Sequence, residues 1–412
     1  MSDILADLRR ITENTRGVFT GNKLKIDQWA RCLNTDDIPL GTDLVCRNPD
    51  GSYSFYCLDG YTDSEIDGLI SGLQTSINGK VNIYRSGWDD TVDLNYRDGI
   101  SFTWNAGSRT VSITHSSGFV KYWSYNTFFN TQNGDAKLSV QVGSVDRTYV
   151  LYFNQSGQLL QSPLISVNNS IYGDACIAGR IIYDATDANE ILAIKELHNA
   201  SEPNGISARL HNTTGSAYSS GGELIGVGAS DTYIGISAVT FYDEDIRIVA
   251  SGQPDSTSAI FPKYGLSGVD SDGQIRVKRG SLDHRLAWFD TGTGRPMYNN
   301  FNTGTGLWEL LPIANNEFCC VHMKAANSMF TPISISIAVG QGKYTSISNA
   351  RNGILNEILS LKSAIGILQE SIDLYTFIVN SSGQIQDIGN GSYYADLRGA
   401  DIKTIKSHQQ FL

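Results

Sequence analysis

Apolar residues recur along this chain with two different periods, and the change between them organises it. Over the first part the period is helical. Leu5, Leu8 and Ile11 fall three apart, with Asp3 and Asp7 in the first turn where the helix dipole favours acids, so residues 1–34 read as helix. The next stretch reads as a small hairpin, with LVC and SYSFYC flanking the turn Asn48-Pro49-Asp50-Gly51. A second helix opens at the capping box Thr62-Asp63-Ser64-Glu65, carries Ile66, Leu69 or Ile70, Leu73 and Ile77 on one stripe, and ends at Asn78-Gly79. So short a stripe is not stable alone in water, which predicts packing onto a domain or parallel self-association.

From about Val81 the period becomes two. Ser101–Trp104, Thr110–Thr114, Leu138–Val142 and Thr148–Phe153 alternate, and Asn105-Ala106-Gly107-Ser108, Asn133-Gly134 and Gln155-Ser156-Gly157 punctuate them. This spacing predicts a small antiparallel sandwich over residues 81–170. A longer β-rich region follows over 171–412, with strands at Gly179–Tyr183, Ile246–Val249, Gln274–Lys278 and Phe318–Met323. Ile354, Ile358, Leu361, Ile365, Leu368 and Ile372 interrupt it at heptad spacing. Gly353 and Gly366 break that heptad and Asp373–Val379 reads as a strand, so the prediction is a docked amphipathic helix over about 346–363. The fold expected is therefore mainly β: short N-terminal helices over 1–80, then antiparallel sandwich-like domains, with one docked helix near the C-terminus.

Composition narrows the classes this chain can belong to. Charged residues are 18% of 412 and the net charge is −11, yet apolar residues reach 41% with 41 Gly and 20 Tyr. That is too much to bury for a disordered chain, and no basic stripe offsets the acidic excess as a nucleic-acid partner would need. No apolar run reaches the roughly 18 residues of a membrane-spanning helix, and the N-terminus lacks the apolar core of an export signal. The six cysteines, Cys32, Cys46, Cys57, Cys176, Cys319 and Cys320, match no zinc spacing and are expected as buried free thiols.

Candidate chemistry is sparse. There is no P-loop, nucleophile elbow or zinc-protease motif, and Thr291-Gly292-Thr293-Gly294 and Thr303-Gly304-Thr305-Gly306 read as hairpin turns. Asp243-Glu244-Asp245 offers the carboxylates a hard cation takes, without the calcium-loop spacing. Glu196 and His198 are two apart, on one face if the segment is a strand, with His211 the next histidine along. Tyr122, Trp123 and Tyr125 sit in a run with Ser124, Asn126 and Thr127, the mixture of rings and amides that suits sugar stacking or a wet protein interface. These nine residues are the candidate contacts with a ligand or another subunit. No catalytic residue, metal site or cofactor is expected.

In order along the chain, Phe102-Thr103-Trp104 through Ser108–Thr114, Tyr149–Leu159, Ile171-Tyr172-Gly173-Asp174-Ala175 and Lys195-Glu196-Leu197-His198 resemble a recurrent set of tailed-bacteriophage tail proteins. Leu210–Gly215, Phe241–Ile246, Trp308-Glu309-Leu310, Asn315–Phe318 and Gly340-Gln341-Gly342-Lys343-Tyr344 leading to Asn349-Ala350-Arg351 continue the likeness, which runs from about residue 95 to 400. The resemblance implies a β-rich tail fibre or baseplate protein of the virion, made in the host cytoplasm. It further implies a homo-oligomer, commonly a trimer, joined to other tail proteins through its N-terminal region and meeting a host-surface glycan. Two other readings stand beside adhesion. One is a tail-borne glycan depolymerase, which needs two carboxylates about 5–9.5 Å apart. The other is an architectural tail or collar component without a host ligand.

Overall fold

The computed structural model describes residues 44–47, 53–56, 86–89, 96–185, 189–198, 200, 216–228, 233–243, 246–280, 282–330, 334–364 and 371–399. The chain divides into two compact units, Met1–Asn82 and Ile83–Leu412. In the first, β1 (Leu44–Arg47) pairs antiparallel with β2 (Tyr53–Tyr56), the hairpin that the flanking apolar triplets predict. The helices expected over 1–34 and from Thr62 lie outside the described residues.

The second unit is mainly β. It opens with β3 (Gly87–Trp88), β4 (Ile100–Asn105), β5 (Thr110–His115), β6 (Phe119–Ser124), β7 (Thr127–Gln132) and β8 (Ser139–Gln141). These form two sheets, in the orders β3-β6-β7 and β4-β5-β8. Next come β9 (Arg147–Phe153), β10 (Leu159–Pro163), the one-turn helix α1 (Asn169–Asp174), β11 (Cys176–Asp184) and β12 (Asn189–Lys195), with sheet order β10-β9-β11-β12. Then β13 (Ser216–Gly221), β14 (Leu224–Ile225), β15 (Gly235–Ile236), β16 (Val239–Asp243) and β17 (Ile246–Ala250) give the sheet β13-β16-β17 and the pair β14-β15.

The last stretch holds β18 (Lys263–Val269), β19 (Ile275–Arg279), β20 (Met297–Asn302), β21 (Leu307–Pro312), β22 (Phe318–Ala326), β23 (Ile335–Tyr344), the helix α2 (Ile347–Ala364), β24 (Ser371–Asn380) and β25 (Ala395–Asp396). Six of these strands make one sheet, β19-β18-β23-β22-β24-β25, and β20 and β21 form a separate hairpin. Pairing is antiparallel except between β18 and β23, which run parallel.

One expected boundary is corrected. The chain does not part at residue 170, because β9 and β10 before it share a sheet with β11 and β12 after it, Cys176 pairing with Phe153 and Tyr183 with Arg147. Period-two alternation reports which face a residue takes and nothing about which strands pair. The same continuity holds in the core, where Trp88, Tyr122, Phe153, Ile181, Phe241, Val321 and Phe377 belong to one buried cluster.

The docked helix forms where its stripe predicts. Ser346 Oγ accepts a hydrogen bond from the Asn349 N–H and caps it. Ala350, Ile354 and Ile358 then fall on one face and pack with Cys320 of β22 and Ile378 of β24. The helix ends at Ala364 and Ile372 already belongs to β24, so the heptad does not continue as a coiled coil.

Candidate functional site

The aromatic run that stood out in the sequence becomes a hairpin. β6 and β7 are joined by two residues, Tyr125 (φ 49°) and Asn126 (φ 61°), with Ser124 paired to Thr127 on either side. Two successive positive φ values are the signature of the type I′ turn, whose twist matches that of the strands. Alternation then sorts the side chains of the β3-β6-β7 sheet.

The inner face takes Val120, Tyr122, Ser124 and Thr131, all buried. Tyr122 stacks on Phe153 with ring centroids 3.8 Å apart and donates its hydroxyl to the Gly157 carbonyl at 2.6 Å. Burial pushes its phenol well up, against a smaller opposing effect of the Thr131 hydroxyl. Tyr122 is therefore a core residue, which corrects its place among the ligand contacts: it and Trp123 are neighbours in sequence and so face opposite sides.

The outer face carries Phe119, Lys121, Trp123, Phe128, Asn130 and Gln132. Trp123 and Phe128 are cross-strand partners with ring centroids 5.4 Å apart, and Phe119 and Phe128 are 42% and 43% exposed. Asn130 and Gln132 are exposed beside them, and Lys121 lies over the Tyr96 ring at 5.8 Å. Tyr125 stands at the end of the hairpin, where its N–H donates to the Asp174 carbonyl at the end of α1. The nearby Tyr152 phenol is pushed up by burial and, less, by Tyr125. A pair of rings inclined at 49° to each other, edged by amides and one cation, can offer a ring face to the C–H face of a sugar while the amides donate to and accept from its hydroxyls.

The second candidate cluster is tied up within the fold. Glu196 lies just past β12 and is buried, with one carboxylate oxygen 3.2 Å from Arg180 Nε and the other 2.9 Å from His198 Nε2. Its backbone is held as well. Trp88 Nε1 donates to the Glu196 carbonyl, the Trp88 N–H donates to the His198 carbonyl, and an Arg97 guanidinium N–H donates to the Leu197 carbonyl. Glu196 and His198 thus fasten residues 196–198 between β3 and β11. Asp243 is buried and accepts from the Ser216 hydroxyl at 2.9 Å. Glu244, Asp245 and His211 lie outside the described residues. Among the described residues no group of three His, Cys, Asp or Glu side chains is placed to hold a metal ion. Cys176, Cys319 and Cys320 are buried free thiols, and burial pushes all three up.

Sequence reasoning missed a buried network under α2. His322 of β22 and Thr376 of β24 are cross-strand partners, and His322 Nδ1 is 2.8 Å from the Thr376 hydroxyl. Its Nε2 is 2.9 Å from Glu357 of α2, which also accepts from the Gln341 N–H at 2.9 Å and the Tyr344 hydroxyl at 2.6 Å. Burial, with Glu357 beside it, pushes the Tyr344 phenol far up. The readable signal was Glu357 itself, a carboxylate on the same stripe as Ile354 and Leu361. With His322 and Glu357 both buried, the network seats the helix on β22, β23 and β24.

No protein-family model, no curated protein and no solved structure matches this chain.

Proposed function

We propose that this chain is an adhesive structural component of a bacteriophage tail, a tail-fibre or baseplate protein, that meets a host-surface glycan through the outer face of the β3-β6-β7 sheet. The observation that carries adhesion is the Trp123–Phe128 pair on a face shared with Phe119, Asn130, Gln132 and Lys121. Core aromatics of this protein, such as Tyr122, are turned inward, whereas Phe119 and Phe128 are exposed and Trp123 is half-buried beside them, on a sheet whose inner face is already packed. Assignment to a tail is supported by the ordered likeness over residues 95–400, which reaches this sheet and the strands after it.

Two experiments test the two halves of the proposal. Immunogold labelling of intact particles with an antibody to this chain is expected to decorate the tail; particles labelled elsewhere, or not at all, overturn the virion reading. Adsorption of fluorescent protein to host cells is expected to fall about tenfold or more in Trp123→Ala and in Phe128→Ser, the loss of roughly one stacking contact of 1–2 kcal/mol. Unchanged adsorption in both variants removes this face as the contact.

A further inference from the structure

Long uncharged edge strands invite pairing with another chain, and folded proteins usually blunt them with charge, proline, bulges or shortness. Most edges in the larger unit are blunted in this way. β19 carries Arg276, Lys278 and Arg279, β17 carries Arg247, and β10 ends on Pro163. β13 has a register break after Tyr218, and β3, β8 and β25 are two or three residues long.

Besides the bulged β13, three six-residue edges carry no charge: β4, β7 and β20. β20 lies against β23, where Asn299 Nδ2 donates to the Val339 carbonyl. In β4 the pairing of Ser116 N–H with the Gly99 carbonyl turns the backbone of Ile100 and Phe102 outward, and both of those side chains are buried.

β7 differs from both. Lys121 accepts at its carbonyl from the Asp89 N–H and donates its own N–H to the Tyr96 hydroxyl, and Phe119 accepts from that hydroxyl, so both residues' backbones point away from β7. Hydrogen-bonded and non-hydrogen-bonded pairs alternate along an antiparallel ladder. The register Lys121↔Asn130 and Trp123↔Phe128 therefore turns the N–H and C=O of Phe128 and Asn130 outward, at residues whose side chains are exposed. Among the described residues none hydrogen-bonds to those backbone groups.

We infer that the outer edge of β7 takes β7 of a second copy of this chain, in an antiparallel, two-fold pairing centred beside Phe129. What specifies a copy is self-complementarity. The outward groups at 128 and 130 are spaced evenly about 129, so Phe128 of each copy meets Asn130 of the other and each such pair exchanges both its hydrogen bonds. Thr127-Phe128-Phe129-Asn130-Thr131-Gln132 holds no charge to repel its twin, although the whole chain carries −11. The pairing joins two β3-β6-β7 sheets edge to edge and sets two Trp123–Phe128 faces on one surface. It does not rest on the glycan reading.

The test uses the full chain, with light scattering over a concentration series and hydrogen exchange resolved to single amides. Asn130→Pro removes an N–H that points away from β6, and Phe128→Lys sets two charges at the joint. Exchange at the Phe128 and Asn130 amides is expected to slow about tenfold or more as concentration rises, while the neighbouring Phe129 amide, already paired to Tyr122, does not change. Both substitutions are expected to weaken self-association about tenfold or more, with the far-ultraviolet spectrum unchanged. A monomer at every concentration overturns the inference. So does exchange at 128 and 130 that is independent of concentration, or an oligomer that both variants leave intact; the exchange measurement on the unaltered chain decides the matter even if a variant fails to fold.

Discussion

Glu357 shows what a single residue does in this fold and why its sequence context misleads. Its carboxylate accepts from groups on β22 and β23 at once, His322 Nε2, the Gln341 N–H and the Tyr344 hydroxyl. Removing it leaves the buried His322 Nε2 without that partner and takes an acceptor from the part-buried Gln341 N–H and Tyr344 hydroxyl, which costs more than one hydrogen bond is worth net. Glu357→Ala is expected to lower the unfolding free energy by about 3 kcal/mol and Glu357→Gln by about 1–2 kcal/mol, because the amide retains one acceptor. Urea denaturation followed by circular dichroism checks this, and a loss below about 0.5 kcal/mol for the alanine variant would place the helix's anchorage in its apolar face instead. The surrounding glycines look in sequence like punctuation. In the structure a Cβ at Gly340 would run into the Cys320 carbonyl and the Glu357 carboxylate, and one at Gly353 into the Tyr344 hydroxyl. Such glycines record a close approach between elements distant in sequence, which no local pattern reveals.

At the scale of elements, legibility followed the completeness of the local signal. β4 and β5 alternate cleanly and α2 carries a full stripe, so both could be read directly. The β6–β7 hairpin could not, because its turn is Tyr125-Asn126 where a type I′ turn favours Asn-Gly. A bulky residue at φ 49° costs of order 1 kcal/mol and persists where something else selects it. If the selected property is ligand contact, Tyr125→Asn is expected to raise stability by about 1 kcal/mol and to lower adsorption to host cells. A drop in stability would instead assign the ring to packing beside Tyr152 and remove it from the binding face. The same element accounts for the missed face assignment of Tyr122: the run from 122 to 129 reads as one aromatic stretch, whereas adjacent residues within β6 alternate between the two faces of the sheet.

Across the whole molecule, what stands out is how phenols are spent. Tyr96 is pushed up to about 12 by burial, with the Lys121 N–H opposing and Asp89 adding a little, and burial likewise pushes Tyr122, Tyr344 and Tyr375 well up. Tyr96 lies in the helical turn before β4, Tyr122 in β6, and Tyr344 and Tyr375 in β23 and β24 of the six-stranded sheet. Their hydroxyls tie one segment to another: Tyr96 to Phe119, Tyr122 to Gly157, Tyr344 to Glu357 and Tyr375 to Gly222. A tyrosine raised in the folded state keeps its proton where the unfolded chain, titrating near 10, has lost it. The native state then binds more protons, so the stabilisation is whole below pH of about 10 and falls as pH rises through the folded values. Unfolding free energies measured by urea are therefore expected to drop steeply between about pH 10 and 12, with the share of phenolate absorbance that belongs to the buried tyrosines rising in step with loss of structure.

Net charge offers a competing cause, since a chain already at −11 becomes more negative as its lysines deprotonate. Salt separates the two. Repulsion between surface charges is screened within a Debye length of roughly 8 Å at physiological ionic strength, whereas a buried phenol is little affected. A base transition that 1 M salt leaves in place assigns the alkaline limit to the buried tyrosines, and Tyr122→Phe then makes the slope shallower. A transition that salt abolishes assigns it to surface charge, and returns to importance the one compositional figure that the fold otherwise leaves without a task.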